Sequence, residues 1–339
     1  MKRYLSVDAL RGVAVAAMIV VNTPGDWNHV YAPLLHSEWN GFTPTDLVFP
    51  LFLFIVGVSI TLAPPARPVA VLLRALRIVA LGLALNVVAM WLIDGREFRI
   101  AGVLQRIGIC YAAAALLAGS TKPRLQWAIL VVLLLGYWAL LGFGGTFDRE
   151  GNLASRIDTA LLGRFNYEYD AATRLGHDPE GLLSTLPAIA TTLLGVRAGE
   201  WLRAGDLRRM LMDGAIALAL GAAWSLDFPI NKNLWTSSFV LWAAGWSILL
   251  LAAFHFAIDR RGWPAFGRRF GVNAIAIYAG AWVLECVGAA TGTNQAIANA
   301  IRSVVGDPYL ASLTYALAFA LFWWLVAAML ERRGIRIRI

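Results

Sequence analysis

Charge is scarce in this chain. Only 15% of its 339 residues are Asp, Glu, Lys or Arg, whereas soluble domains carry about 25%. That shortage excludes an ordinary soluble globule. Cysteine is scarcer still. Cys110 and Cys286 lie in separate apolar runs with no CxxC spacing, which excludes a disulfide or zinc framework and leaves both as small buried hydrophobes. The histidines are His29, His36, His177 and His255. They lack the close spacing of metal ligands, so no metal site is expected. Repeats and low-complexity tracts are missing too. What remains is apolar: 59% hydrophobic residues and a mean hydropathy of +0.64. A net charge of +8 would suggest nucleic acid in a soluble protein. Here the basic residues sit in short loops between apolar runs, so no nucleic-acid partner is expected.

Those runs define the fold class. Ten have about the length of a membrane-crossing helix, roughly 17 to 25 residues. They cover 9–23, 46–63, 70–93, 103–119, 125–143, 182–198, 208–226, 235–257, 272–291 and 309–330. The first follows Met1-Lys2-Arg3 without a small-residue cleavage site and is interrupted by Asp8 and Arg11, so it reads as a retained helix. Of the 29 Lys and Arg residues, nineteen fall in one alternating set of loops and nine in the other, with Arg11 near a helix start. Four of the nine lie in the single long 144–181 loop, where the charge rule is weak. The expectation is therefore one all-α domain over 1–339, a polytopic membrane bundle of about ten helices. Both termini would be cytoplasmic, and the loop holding His36 and the 144–181 segment would be external. Within that segment, Leu153-Ala-Ser-Arg-Ile-Asp-Thr-Ala-Leu-Leu162 has helical apolar spacing, so it should fold back over the outer mouth. The chain is expected in the bilayer of a bacterial inner membrane.

Polar side chains gather at the external edge of these runs, where they are costly and so mark a candidate site. The densest stretch is His36 to Gly57, HSEWNGFTPTDLVFPLFLFIVG. Others are Asn22-Thr-Pro-Gly-Asp26, Gly102-Val-Leu-Gln-Arg106, Asp178-Pro-Glu-Gly181 and the 227–238 segment. His36 is the best proton-transfer candidate, since an imidazole titrates near neutrality; a histidine merely hydrogen-bonded at the interface is the plainer alternative. His29 is a weaker rival. Asp46 suits a helix cap, or it orients His36. Arg106 suits anion binding, or it snorkels to headgroups. Asn231, Lys232 and Asn233 offer donors to a polyol or phosphate. Trp39 and Trp235 are either interface belt residues or platforms for a sugar ring.

Taken together, the motifs resemble those of the heparan-α-glucosaminide N-acetyltransferase family. They are Ser6-Val-Asp-Ala-Leu-Arg-Gly12, Val21-Asn22, His36-Ser-Glu-Trp-Asn-Gly41, Thr45-Asp-Leu-Val-Phe-Pro50, Gly102-Val-Leu-Gln-Arg-Ile107, Asp178-Pro-Glu-Gly181 and Asn231-Lys-Asn-Leu-Trp235. The resemblance implies transfer of an acetyl group from cytoplasmic acetyl-CoA to the amine of a glucosamine-like sugar across the membrane. It implies His36 as the active-site histidine, with Asn22 and Asp46 beside it and Arg106 at the arginine position. Arg74 and Arg77, on the cytoplasmic side, are expected to hold the phosphates of acetyl-CoA. Trp39, Asn40, Glu180, Asn231, Lys232, Asn233 and Trp235 are expected around the acceptor. No counterpart of the large lumenal domain of the animal enzyme is expected, so a small amino sugar or a cell-surface glycan is the expected acceptor. A homodimer is the one assembly considered. Direct transfer and an acetyl-histidine intermediate both fit. An amino-sugar permease is the rival reading, but it should show inverted repeats or helices broken near the midplane.

Overall fold

Helix ends follow local chemistry. Pro68, Pro123 and Pro308 each stand in the first turn of a long helix, where the missing N–H costs nothing. In a computed structural model describing residues 3–337, the elements run α1 (Leu5–Asn22), α2 (Val48–Leu62), α3 (Pro68–Leu92), α4 (Val103–Ser120), α5 (Pro123–Phe143), α6 (Leu153–Leu162), the hairpin β1 (Glu168–Asp170) and β2 (Leu175–His177), α7 (Thr185–Ala204), α8 (Leu207–Trp224), α9 (Ser237–Phe254), α10 (Arg268–Val272), α11 (Ala274–Ala290), α12 (Thr293–Val305) and α13 (Pro308–Arg332). The strands are antiparallel, with Glu168 opposite His177. All ten expected runs are helices, and α6 occupies the residues its spacing predicts.

Among the described residues, seven helices are long and apolar enough to cross a membrane, and α11 with α12 forms an eighth candidate bent by 84°. Helices α7 and α8 do not meet that test, because Arg197, Glu200 and Arg203 interrupt one and Arg208, Arg209 and Asp213 the other. The physical reason is plainest for α7: fifteen of its 20 residues are buried, so its neighbours are protein and it need not be uniformly apolar. It lies tightly along α2. A side chain at Gly57 would meet the carbonyl oxygen of Thr192 at 1.9 Å, and one at Gly195 would meet that of Phe54 at 2.0 Å. Only glycine allows this approach. The short α12 was not expected; its few apolar residues give too brief a run to stand out.

The bundle has two chemically different ends. At one, the Gly41 amide donates to the Ile230 carbonyl (2.8 Å) and the Ile100 amide to that of Phe165 (3.3 Å). These bonds gather the 23–47, 93–102, 144–184 and 225–236 segments. At the other, Asp259 accepts from the backbone amides of Leu5 (3.0 Å) and Ser6 (3.3 Å), which otherwise lack partners at a helix start. There Arg203 donates to the Thr61 carbonyl at 3.3 Å. This second end carries the arginine-rich loops.

Candidate active site

The site is built around one buried carboxylate. Thr43 and Asp46 form a capping box at the turn leading into α2. Asp46 Oδ2 accepts the backbone N–H of Thr43 (3.0 Å) and of Ser37 (3.1 Å). Its other oxygen, Oδ1, is 2.7 Å from His36 Nδ1. Asp46 thus does both jobs that its position allowed. Its side chain is fully buried, while that of His36 is 44% exposed. An ionised carboxylate only accepts, so Nδ1 carries the imidazole proton and Nε2 keeps its lone pair, with the Lys232 ammonium 3.4 Å away. His29 instead pairs with Asp26 (2.7 Å) and meets Tyr309 edge-on, in a separate cluster. Asn22 is exposed at the last turn of α1, and no hydrogen bond joins it to His36.

A cover lies over this end. Trp39 Nε1 donates to the Phe147 carbonyl at 2.7 Å, its ring meets His177 edge-on at 5.1 Å, and the Arg149 guanidinium sits over it at 5.6 Å. Trp39 therefore fastens the 144–181 segment to the His36 loop. Asn152 caps α6 by accepting from the Ser155 amide (2.8 Å), and Ser155 Oγ meets His177 Nδ1 at 2.9 Å. Burial pushes His177 down to about 4. Burial likewise pushes Asp158 up to about 6, although it accepts the amides of Leu182 (2.9 Å) and Leu183 (3.3 Å). Gly181 passes so close that a side chain there would strike Asp158.

Charges beneath the cover are paired. Arg99 contacts both Asp178 and Glu180 and stacks on Tyr167. Burial alone would raise the Glu180 carboxyl, but the Arg99, Arg106 and Lys232 cations together outweigh it and hold it down at about 2. The Lys232 ammonium lies 3.4 Å from both ring nitrogens of His36, and burial lowers its proton affinity from the ordinary lysine value. Asn231 is fully buried. It donates to Asn40 Oδ1 (3.1 Å) and accepts from the Leu234 amide (2.8 Å), so it clasps two loops together and is not an open donor to a polyol. Asn233 stands half-buried beside it.

Trp235 corrects the expectation of an exposed sugar platform. It is fully buried, donates Nε1 to Thr191 Oγ1 at 3.0 Å, meets Phe49 edge-on at 5.3 Å and is covered by the Arg106 guanidinium at 5.0 Å. Arg106 does not snorkel. It is 1% exposed, and its Nη2 donates to the Gly181 carbonyl (3.0 Å) and Ser184 Oγ (2.5 Å).

The opposite end holds a cavity of about 920 Å³. Arg11, Arg74, Arg77, Arg197 and Arg203 line it against a single carboxylate, Glu200. Its deeper walls are apolar: Val56, Ile107, Tyr111 and Phe52. Along α4 the lining runs from Gly119 to Ile107, about 18 Å at 1.5 Å per residue. The expected donor residues Arg74 and Arg77 both line it, Arg74 over the Tyr111 ring at 4.9 Å, while Arg106 directly precedes Ile107, the α4 lining residue nearest the dyad.

A sequence-family profile described as heparan-alpha-glucosaminide N-acetyltransferase, catalytic, matches residues 3–226. The chain belongs to the heparan-alpha-glucosaminide N-acetyltransferase family. It is 30% identical over 84% of its length to the heparan-alpha-glucosaminide N-acetyltransferase of Homo sapiens, covering 53% of that protein. It is 30% identical over 84% of its length to that of Mus musculus, covering 54%. The chain thus spans about half the length of these curated relatives. The family match includes His36, Asp46, Arg106 and Glu180 but ends six residues before Lys232. In this family member, sequence reasoning missed Arg99, Asp158, Thr191 and Ser184, which hold the site's frame. The only signal for Arg99 was a cation beside Arg96 in a short loop; the others are ordinary polar residues whose partners lie far along the chain.

Proposed function

We propose that the chain transfers the acetyl group of cytoplasmic acetyl-CoA to the amine of a glucosamine-like sugar or glycan on the external side of a bacterial inner membrane. The observation that carries this reading is the placement of a His–Asp dyad at one end of the bundle and an arginine-lined cavity at the other. The donor fits that cavity chemically. Arginines suit phosphates, the apolar wall suits a pantetheine arm, and the length along α4 leads the thioester toward the dyad. Both termini would be cytoplasmic, with ten helices crossing and α7 shielded by its neighbours. Whether a homodimer forms is read from its mass in detergent.

An ammonium cannot attack a thioester, so the acceptor must first lose a proton. His36 Nε2 takes it, with Asp46 holding the ring and stabilising the imidazolium. Such a positioned base is worth roughly 10²–10⁴ in rate. The N–C bond forms, the attacking nitrogen gives up its second proton and the C–S bond breaks; one of the two protons reaches the departing sulfur and the other is released to solvent, giving an acetamide and free CoA. Trp39, Asn40, Glu180, Lys232 and Asn233 frame the acceptor mouth.

The test is a proteoliposome assay with labelled acetyl-CoA on one side and glucosamine on the other. Acetylated sugar on the far side is the expected product. Unmodified sugar crossing instead would identify a permease.

A further inference from the structure

The dyad and the cavity are separated by a thin partition. Three helices show its depth. On α2, Asp46 precedes the helix in the outer site, Phe49 touches Trp235, and Phe52 lines the cavity. On α4, Arg106 lies under Trp235 and Ile107 lines the cavity. On α7, Thr191 holds the indole and Val196 lines the cavity. From Asp46 to Phe52 is about 9 Å at 1.5 Å per residue. Trp235 and Arg106 fill that interval.

Two features of this pair have no structural explanation. Arg106 Nε and Nη1 are buried and have no hydrogen-bond partner, although a buried guanidinium normally satisfies its donors. Trp235 adopts φ 52°, a left-handed backbone that bulky residues avoid. Strain of this kind collects where a segment must move or clamp a ligand.

We infer that Arg106 is the group that receives the carbonyl oxygen of the acetyl thioester, and that Trp235 is the removable partition between donor cavity and acceptor pocket. This rests on the function proposed above. A fixed guanidinium at the inner end of an apolar cavity is placed for the charge that develops on that oxygen as the amine attacks. The unpaired N–H groups are then satisfied by substrate. Trp235 must leave its seat for the acetyl carbon to reach the amine at His36, and its strained backbone favours that departure. While seated, it keeps external water from the thioester.

The test uses the full chain, purified, with CoA and acetyl-CoA as binding probes. Arg106→Gln should lower kcat about 10²–10³-fold while CoA affinity stays within about twofold of wild type. Arg106→Lys, which keeps the charge, should recover part of the loss. Equal weakening of CoA and acetyl-CoA with kcat retained would make Arg106 a phosphate holder and overturn the inference, as would no change in either. Should Arg106→Gln fail to fold, Trp235→Ala decides. It should raise release of free thiol from acetyl-CoA in the absence of any amine by about tenfold, as water attacks the carbonyl to give acetate and CoA. No rise would overturn the partition. Thiol release needs no acceptor, so it reports on the partition even if wild type acetylates no sugar, a result that would instead defeat the proposed function.

Discussion

The two ends of this bundle hold their charges in opposite ways. At the His36 end, Arg99 is matched by Asp178 and Glu180, His36 by Asp46, and a cover is fastened on top by Trp39. At the other end, five arginines line a cavity with one carboxylate among its lining; Arg197 pairs with that Glu200 and Arg11 with Asp8, and positive charge remains in excess. Paired, buried charges fix geometry, because removing either partner leaves a charge in low dielectric. An excess of one sign around a cavity waits for a ligand of the other sign. The contrast suits a reaction whose chemistry needs positioned groups at one end and whose anionic substrate needs attraction at the other.

Variants should therefore separate cleanly, with outer substitutions acting on turnover and inner ones on donor affinity. The largest effect is expected from His36→Ala, a fall in kcat of about 10²–10⁴-fold with acetyl-CoA affinity unchanged. A folded variant transferring at the wild-type rate would remove His36 from the mechanism. Asp46→Asn should cost at least about tenfold in kcat, or about 1.4 kcal/mol, since asparagine still caps but cannot stabilise the imidazolium. Thr43→Ala is the control. It removes the hydroxyl with its bonds to the Leu35 carbonyl (2.7 Å) and Asp46 Oδ2 (3.2 Å) but keeps the His36–Asp46 contact, so it should cost about 1 kcal/mol of stability and lower kcat far less than Asp46→Asn. If both variants behave alike, Asp46 acts as a cap alone.

At the inner end, Arg77→Ala and Arg203→Ala should each raise the acetyl-CoA KM by about tenfold, the loss of a charge-assisted contact of about 1.5 kcal/mol, and leave kcat and the acceptor KM alone. A change in kcat without a change in donor KM would erase the distinction between the ends.

The smallest expected effect concerns the cover. Asp158, raised to about 6, favours the folded cover when protonated, so its contribution is full below the ordinary carboxylate range and disappears as pH rises to about 6. His177, lowered to about 4, has the reverse sign. Its contribution is full above the ordinary histidine value and is lost as pH falls to about 4. The two slopes oppose each other, so wild-type cover stability should vary little between pH 4 and 6. Asp158→Asn should expose a cover that weakens as pH falls, and His177→Asn one that weakens as pH rises. Hydrogen exchange of residues 144–181 across that range reads both. Two variants with the same slope would contradict the assignment.

Much of this was legible in the chain. Hydropathy located ten helices, and the spacing of Leu153 to Leu162 located α6 on the cover. His36 and Asp46 stood in one short loop, so their pairing could be anticipated. Arg74 and Arg77 could be placed at one end, though not around a cavity. Trp235 and Asn231 could not be read correctly. A tryptophan next to Asn and Lys looks like a sugar platform, and an asparagine in a polar loop looks like a donor to a ligand.

Sequence alone determined what depends on sums over neighbouring residues: the all-helical membrane architecture, the asymmetry of charge between loops, and the dyad whose members are ten positions apart. Tertiary structure decided everything that depends on partners brought from afar. Trp235 became a partition because Thr191, Phe49 and Arg106 close around it, and Arg106 kept two donors unpaired because its only acceptors, Gly181 and Ser184, lie on one side. Burial and hydrogen-bond satisfaction are properties of a surrounding shell. That shell is drawn from segments separated by up to 186 residues, between Phe49 and Trp235, a distance over which local pattern carries no information.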